Sequence, residues 1–269
     1  MLFPRSKNML KYLDYGFENR PAIVTGAGSG IGEAVAIELA KGGAKVALFG
    51  RTLAKLEKVA EKCRSYTDNV LCAAVDVSDP ESVKAGVAKV IEAFGGVDIL
   101  INNAGIESRL KPGESFFGTL FDKLDEETYM KFFKIHDYGH YLMNLAVIPY
   151  MQKNHFGRIV NTTSVTGIHG NYSTPAYTAS KAGAITQTKA FAMKYGKDGI
   201  TVNAVAPGMV DTPMKIDATP REYEIVASKT PLGHVASGLD IARVILFFAQ
   251  ENLFVTGQCL TCDGGSDLA

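Results

Sequence analysis

The chain carries no excess charge of either sign, with 28 Lys plus Arg set against 28 Asp plus Glu in 269 residues. Such a balance builds no field to draw in nucleic acid or an anionic membrane, and no basic run marks a local patch. No apolar run approaches the roughly 20 residues of a membrane-spanning helix. The opening "MLFPRSKNMLKYLDYGFENR" lacks the continuous apolar core of a secretory signal. Residues 1–17 are expected to form a surface arm or a short docked helix, whose amphipathic "NMLKYL" could equally touch a partner subunit. Cysteine is scarce too: Cys63, Cys72, Cys259 and Cys262 are few for a secreted domain. "CLTC" invites a zinc reading, but it sits in the strand-like "FVTGQCLTCDGG". There positions i and i+3 face opposite ways, whereas structural zinc needs convergent thiolates. No metal site is expected, and the thiols read as reduced and buried in a cytoplasmic protein.

What the chain does have is rhythm. "AIVTG", "KVALFG", "LCAAVDV", "VDILINNAG", "GRIVNTTS", "ITVNAVAPG" and "GQCLTCDGG" give seven strand signals. Helical patterns such as "GIGEAVAIELAKGG", 53–64 and 80–94 fill most of the gaps. Strict alternation implies an α/β fold: a parallel sheet with helices on both faces. With no repeat or linker, residues 18–269 read as one domain. Two segments break the pattern, 106–124 and 209–236, and both begin at the carboxyl end of a strand, where open α/β sheets bind ligands. They are expected to be substrate loops. Phe116, Phe117, Leu120 and Phe121 in the first, with Met209 and Met214 in the second, predict apolar walls.

"VTGAGSGIG" places Gly26, Gly30 and Gly32 between a strand and its helix. Glycine lets the backbone turn tightly and approach a pyrophosphate, and the helix start offers free N–H groups to the anion. The strand–turn–helix context makes this a dinucleotide signal. A NAD site usually places an acidic residue at the end of the second strand. Here "LFGRT" puts Arg51 there, able to meet a 2′-phosphate with a bidentate fork. Ser29 supplies a hydroxyl but no second positive charge. NADP(H) is favoured, with NAD(H) left open.

"AYTASK" sets Tyr177 and Lys181 one helical turn apart. A phenol with a pKa near 10 is a poor proton exchanger at neutrality, and an ammonium beside it would have to supply about 4 kcal/mol to close the gap. Ser164, at the end of the fifth strand, can hydrogen-bond the reacting oxygen. Together with the glycine turn, "DV" at 76–77, "NNAG" at 102–105, "PG" at 207–208 and "DGG" at 263–265, these residues make the chain resemble the short-chain dehydrogenase/reductase family from about residue 18 onward. The resemblance implies a seven-stranded, doubly wound Rossmann fold assembled as a homotetramer or homodimer, and hydride transfer between a nicotinamide cofactor and an alcohol/ketone pair. It implies that Ser164 orients the substrate oxygen, that Tyr177 exchanges a proton with it, and that Lys181 lowers the phenol's pKa and holds the nicotinamide ribose. Asp76 would contact adenine, with Ile31 and Val77 in the same site. Asn102, Asn103, Ala104 and Gly105 would line the central cleft, and Pro207, Gly208, Val210 and Thr212 the nicotinamide end. The substrate expected is a bulky apolar alcohol such as a hydroxysteroid or bile acid. A sugar or polyol dehydrogenase, a 3-oxoacyl reductase and a non-catalytic dinucleotide sensor are the alternatives.

"FFKIHDYGHYL" departs from that family. His136, three residues before Gly139, stands where the family carries an asparagine that anchors a water in the proton path to the lysine. Imidazole can donate and accept and titrates near neutrality, so His136 is expected to keep the relay and add pH sensitivity. His136 and His140 share the spacing of a helical metal site, but no third ligand is suitably spaced.

Overall fold

The structure, a computed structural model, describes residues 16–107, 124–170, 175–215 and 218–268. Strands form where β-branched and small apolar residues run unbroken, because both faces of a parallel sheet are covered. They are β1 (Pro21–Thr25), β2 (Lys45–Gly50), β3 (Val70–Ala74), β4 (Ile99–Asn102), β5 (Gly157–Thr162), β6 (Ile200–Pro207), β7 (Val210–Asp211), β8 (Ala236–Ser237) and β9 (Cys259–Cys262). Seven of them make one parallel sheet in the order β3-β2-β1-β4-β5-β6-β9, while β7 and β8 pair with each other.

The helices are α1 (Gly30–Lys41), α2 (Leu53–Arg64), α3 (Pro80–Phe94), α4 (Glu126–Phe133), α5 (Gly139–Asn154), α6 (Thr166–His169), α7 (Pro175–Tyr195), α8 (Pro220–Lys229) and α9 (Gly238–Phe248). Those expected at 53–64 and 80–94 fall on α2 and α3. α3 begins where Asp79 accepts from the Glu81 N–H with Pro80 at the first position, and it stops at left-handed Gly95. Side chains alternate across the sheet with period two. Ala22 and Val24 of β1 join the core under α1, α2 and α9, whereas Ile23 joins the core under α3, α5 and α7. This is the doubly wound Rossmann architecture, in one domain.

Two expectations shift. Segment 209–236 is not a plain loop: it folds into β7, a short 3₁₀ turn, α8 and β8, with α8 started by a reciprocal Thr219–Glu222 capping box. Phe17, assigned to the arm, is buried against the body beside Gly42. The stretch "NMLKYL" and the apolar residues Phe116, Phe117, Leu120 and Phe121 lie outside the described residues. No helix among the described residues is long and apolar enough to cross a membrane.

The sheet's strand order reverses between β1 and β4, and the crevice there is held open by one hydroxyl. Thr25 Oγ donates to the Ile101 carbonyl at 3.3 Å and accepts the amides of Asn103 at 2.9 Å and Ala104 at 3.0 Å. The Asn103 carboxamide donates back to the Thr25 and Gly26 carbonyls. Thr25→Val keeps the shape and strips two amides of their acceptor, so stability falls by about 3 kcal/mol. Urea denaturation of the two proteins measures the difference.

Candidate active site

A cleft of about 240 Å³ starts at the glycine turn and runs along the carboxyl ends of β1, β2 and β4. Gly26 has φ +65°, and a Cβ there would come within 2.9 Å of the Ala104 Cα. A Cβ on Gly32 would run into the Gly26 carbonyl oxygen. The cradle therefore needs both glycines: one to turn, one to let α1 start against the turn. Ser29, Gly30, Ile31, Arg51, Asp76, Val77, Asn103, Ala104 and Gly105 line this cleft. Lys55 also lines it, one helical turn beyond Arg51, and supplies the second positive charge that sequence reading missed. The signal was present in "RTLAK", but only the fold turns that face of α2 toward the cleft. Asp76 is the negative group here. Partial burial works to raise its pKa, but hydrogen bonds from the Ser78 side chain and backbone, with the Arg51 charge, outweigh it and leave the pKa below its ordinary value. The glycine cradle, paired cations and helix start suit a dinucleotide. Asn102 is a correction: its side chain is wholly buried, donating to Asn144 and Asn161 beneath the cleft rather than lining it.

A second cleft of about 310 Å³ continues from the first, sharing Ile31, Asn103, Gly105, Ile106, Thr212 and Met214. It brings together Ser164, Tyr177 and Lys181 with Pro207, Gly208 and Val210. Ser164 sits just past β5, its Oγ accepting from Thr166 Oγ at 3.1 Å. Tyr177 and Lys181 occupy the first turns of α7, which Pro175 opens. Lys181 is buried and donates to the Thr162 carbonyl at 2.8 Å, with Nζ 5.8 Å from the Tyr177 ring centre. Met209 and Met214, expected as apolar walls, both line the cleft, with Val165 and Val226.

The electrostatics differ from the lysine-lowered phenol that was expected. Burial pushes the Tyr177 pKa above its ordinary value, Glu107 pushes it the same way, and a hydrogen bond with Ser164 opposes both. Lys181 is itself held down to about 7 by burial, with Glu107 opposing the fall. The cost of charging either group away from water exceeds what they gain from each other.

The short chain dehydrogenase model matches residues 20–222. The chain belongs to the short-chain dehydrogenase family. It is 35% identical over 92% of its length to the 3-oxoacyl-[acyl-carrier-protein] reductase of Thermotoga maritima, covering 98% of that protein. It is 35% identical to the levodione reductase of Leifsonia aquatica, covering 94% of this chain and 96% of that one. The crystal structure of 3-ketoacyl-(acyl-carrier-protein) reductase from Brucella melitensis complexed with NADH superposes with a TM-score of 0.83. It is 30% identical, over 93% of this chain and 99% of that one.

In this dehydrogenase His136 does not sit as expected. The chain widens into a π-helical turn at Lys134–Tyr138 between α4 and α5, and His136 points from it into the protein, wholly buried. Its Nε2 accepts the Ile106 amide at 2.9 Å, so the ring proton lies on Nδ1 and is given to Ser180 Oγ, also at 2.9 Å. Ser180 in turn donates to the Tyr177 carbonyl at 2.8 Å. Both ring nitrogens are committed, which leaves no site for a relay water. Burial, with the Lys181 charge, holds the imidazole well below its ordinary pKa, so it does not titrate near neutrality. The ring instead stands edge-on to Tyr177, 5.3 Å between centres, with Phe132 completing the clamp at 6.2 Å.

His140 is fully buried one turn further on. Neither of its ring nitrogens has a hydrogen-bond partner among the described residues, and burial lowers its pKa to about 3. The unfolded chain takes up protons on both imidazoles below about pH 6.5, while the folded chain does not. Stability therefore falls as pH drops from 6.5 toward 3, by on the order of 4 kcal/mol for His140 alone. His140→Leu removes about one proton from the slope of unfolding free energy against pH, read from denaturant titrations between pH 7.5 and 4.5.

Proposed function

We propose that this enzyme interconverts a secondary alcohol and a ketone using NADP(H), with Ser164, Tyr177 and Lys181 as its catalytic set. The observation that carries the reading is the meeting of these three side chains in one cleft that continues into the glycine cradle. The nicotinamide, when bound, supplies or accepts the hydride. Ser164 Oγ and the Tyr177 hydroxyl hold the substrate oxygen, and Tyr177 gives its proton to that oxygen as alkoxide character develops. Lys181 keeps positive charge beside the phenol that is losing its proton. The raised phenol pKa keeps Tyr177 protonated through the neutral range, which suits it to donate. Carbonyl reduction is therefore the direction favoured near neutrality, and alcohol oxidation speeds up as pH rises.

Arg51 and Lys55 at the ribose end support the phosphorylated cofactor, since two cations there match a 2′-phosphate. Met209, Met214, Val165 and Val226 support a bulky apolar substrate of hydroxysteroid or bile-acid type. The relative that reduces 3-oxoacyl-carrier substrates makes the acyl thioester the competing reading. Tyr138, Tyr141 and Leu145 form an exposed stripe at helical spacing, which supports a homotetramer or homodimer. The four free thiols support a reducing, cytoplasmic setting.

A panel of steroid, cyclic and 3-oxoacyl ketones, followed by cofactor absorbance, tests the reading. Tyr177→Phe should lose about a thousandfold in kcat on whichever ketone turns over. Tight cofactor binding without turnover on any of them would make the protein a sensor instead. Arg51→Ala should cut kcat/KM for NADPH by tenfold or more while changing that for NADH less, because it removes a charge-assisted fork that only the phosphate uses. Equal losses with both cofactors would remove the NADP assignment.

A further inference from the structure

Ser180, one residue before Lys181, has no part in the reaction as set out above, yet it is wholly buried and makes two hydrogen bonds. Its Oγ accepts from His136 Nδ1 at 2.9 Å and donates to the Tyr177 carbonyl at 2.8 Å. Serine inside a helix tends to bond back to a carbonyl one turn earlier, and here that carbonyl belongs to the reacting tyrosine. The other ring nitrogen, Nε2, accepts the Ile106 amide at 2.9 Å. That amide needs an acceptor, which puts the ring proton on Nδ1 and leaves the serine hydroxyl to donate to Tyr177. One arrangement of protons satisfies the whole chain. Its two ends serve different parts of the site. Ile106 borders both the glycine-turn cleft and the substrate cleft. Gly105 lies against the imidazole, where a Cβ would stand 3.2 Å from Nε2. Lys181 is outside the chain, since the Thr162 carbonyl holds its Nζ separately.

We propose that Ser180 is a positioning residue for proton transfer, acting through the Tyr177 carbonyl, and that His136 couples it to the loop walling the cofactor and substrate spaces. Without the serine hydroxyl, the phenol keeps its ring contacts with Phe132 and His136 but loses the bond that fixes its backbone. A displacement of about 1 Å at a reacting group can cost a hundredfold in rate. The Ile106 end has another consequence: an unanchored wall weakens binding and leaves the phenol where it was. The two ends therefore carry separate kinetic signatures, rate for Ser180 and affinity for Ile106. This deepens the alcohol/ketone reading above and rests on it.

Three substitutions separate the two ends. Each is read as kcat with saturating ketone and NADPH, and as cofactor affinity from NADPH fluorescence without ketone. Rates are expressed per cofactor site titrated, so partial unfolding does not imitate a loss. Ser180→Ala should lower kcat by about thirtyfold and leave NADPH affinity within about twofold of native. His136→Gln should do the same, because its longer carboxamide can reach the Ile106 amide but not Ser180. His136→Asn should do the reverse, its shorter carboxamide reaching Ser180 and not Ile106. Affinity then falls about tenfold, the worth of one hydrogen bond, while kcat stays within about threefold. Since Ser180 and His136 act in series, Ser180→Ala combined with His136→Gln should cost no more in kcat than either alone. A kcat unmoved in Ser180→Ala, or kcat and affinity falling together in all three variants, overturns the positioning role and leaves the alcohol/ketone reading in place. Turnover that survives Tyr177→Phe, or none on any ketone of the panel, overturns both.

Discussion

The cleft is organised around a phenol and an amine kept out of water side by side. Desolvation penalises the charged form of each, raising the pKa of Tyr177 and lowering that of Lys181 to about 7. A side chain in that condition needs fixed partners, and the fold supplies them from strand ends rather than from solvent. The Thr162 carbonyl at the end of β5 takes the Lys181 ammonium. Ser164, two residues further, meets the phenol, and Thr166 steadies the serine. The order of β1, β4, β5 and β6 in the sheet sets these ends in a row, so Ser164, Tyr177 and Lys181 open into the same continuous space as the glycine turn.

The π-helical turn at Lys134–Tyr138 is the second determinant. A regular helix through this segment would turn its side chains by about 100° per residue. Phe132 in α4 and His136 in the wider turn, four residues apart and so on one face, both reach Tyr177. The ring contacts restrict the phenol's rotation, and the bond from Ser180 to the Tyr177 carbonyl holds the first turn of α7. Orientation of the Tyr177 phenol is therefore built from aromatic packing and one hydrogen-bonded chain.

Much of this was legible in the residues. Period-two and period-3.6 patterns mark elements locally, which is why α2 and α3 fall where the pattern puts them, and the glycine turn needs only its own strand and helix. Tyr177 and Lys181 are one turn apart, so their meeting is a local fact. What sequence could not show is what depends on burial and on distant partners. Thr25 looks like any strand-end threonine until Asn103 and Ala104, far along the chain, bring their amides to it. Lys55 joins Arg51 in lining the cleft only once α2 packs beside the glycine turn. Asn102 and Asn103 are adjacent letters, yet the pleat sends one into the core and the other to the crevice. His136 was assigned a titrating role from its ordinary chemistry, and burial reversed that.

Neutrality is what makes the histidine workable in this position. The Ile106 amide needs an acceptor, and an imidazolium has none. A protonated ring would also stand beside Lys181, whose charge already acts to lower the histidine's pKa. Burial removes the charged form from contention, so the ring serves as acceptor at Nε2 and donor at Nδ1 at once. The loop after β4 is thereby fixed to α7 without adding a second cation to the cleft. Lys181 on α7 and Glu107 on the loop after β4, which both line the cleft, are thus carried by the two elements that His136 joins.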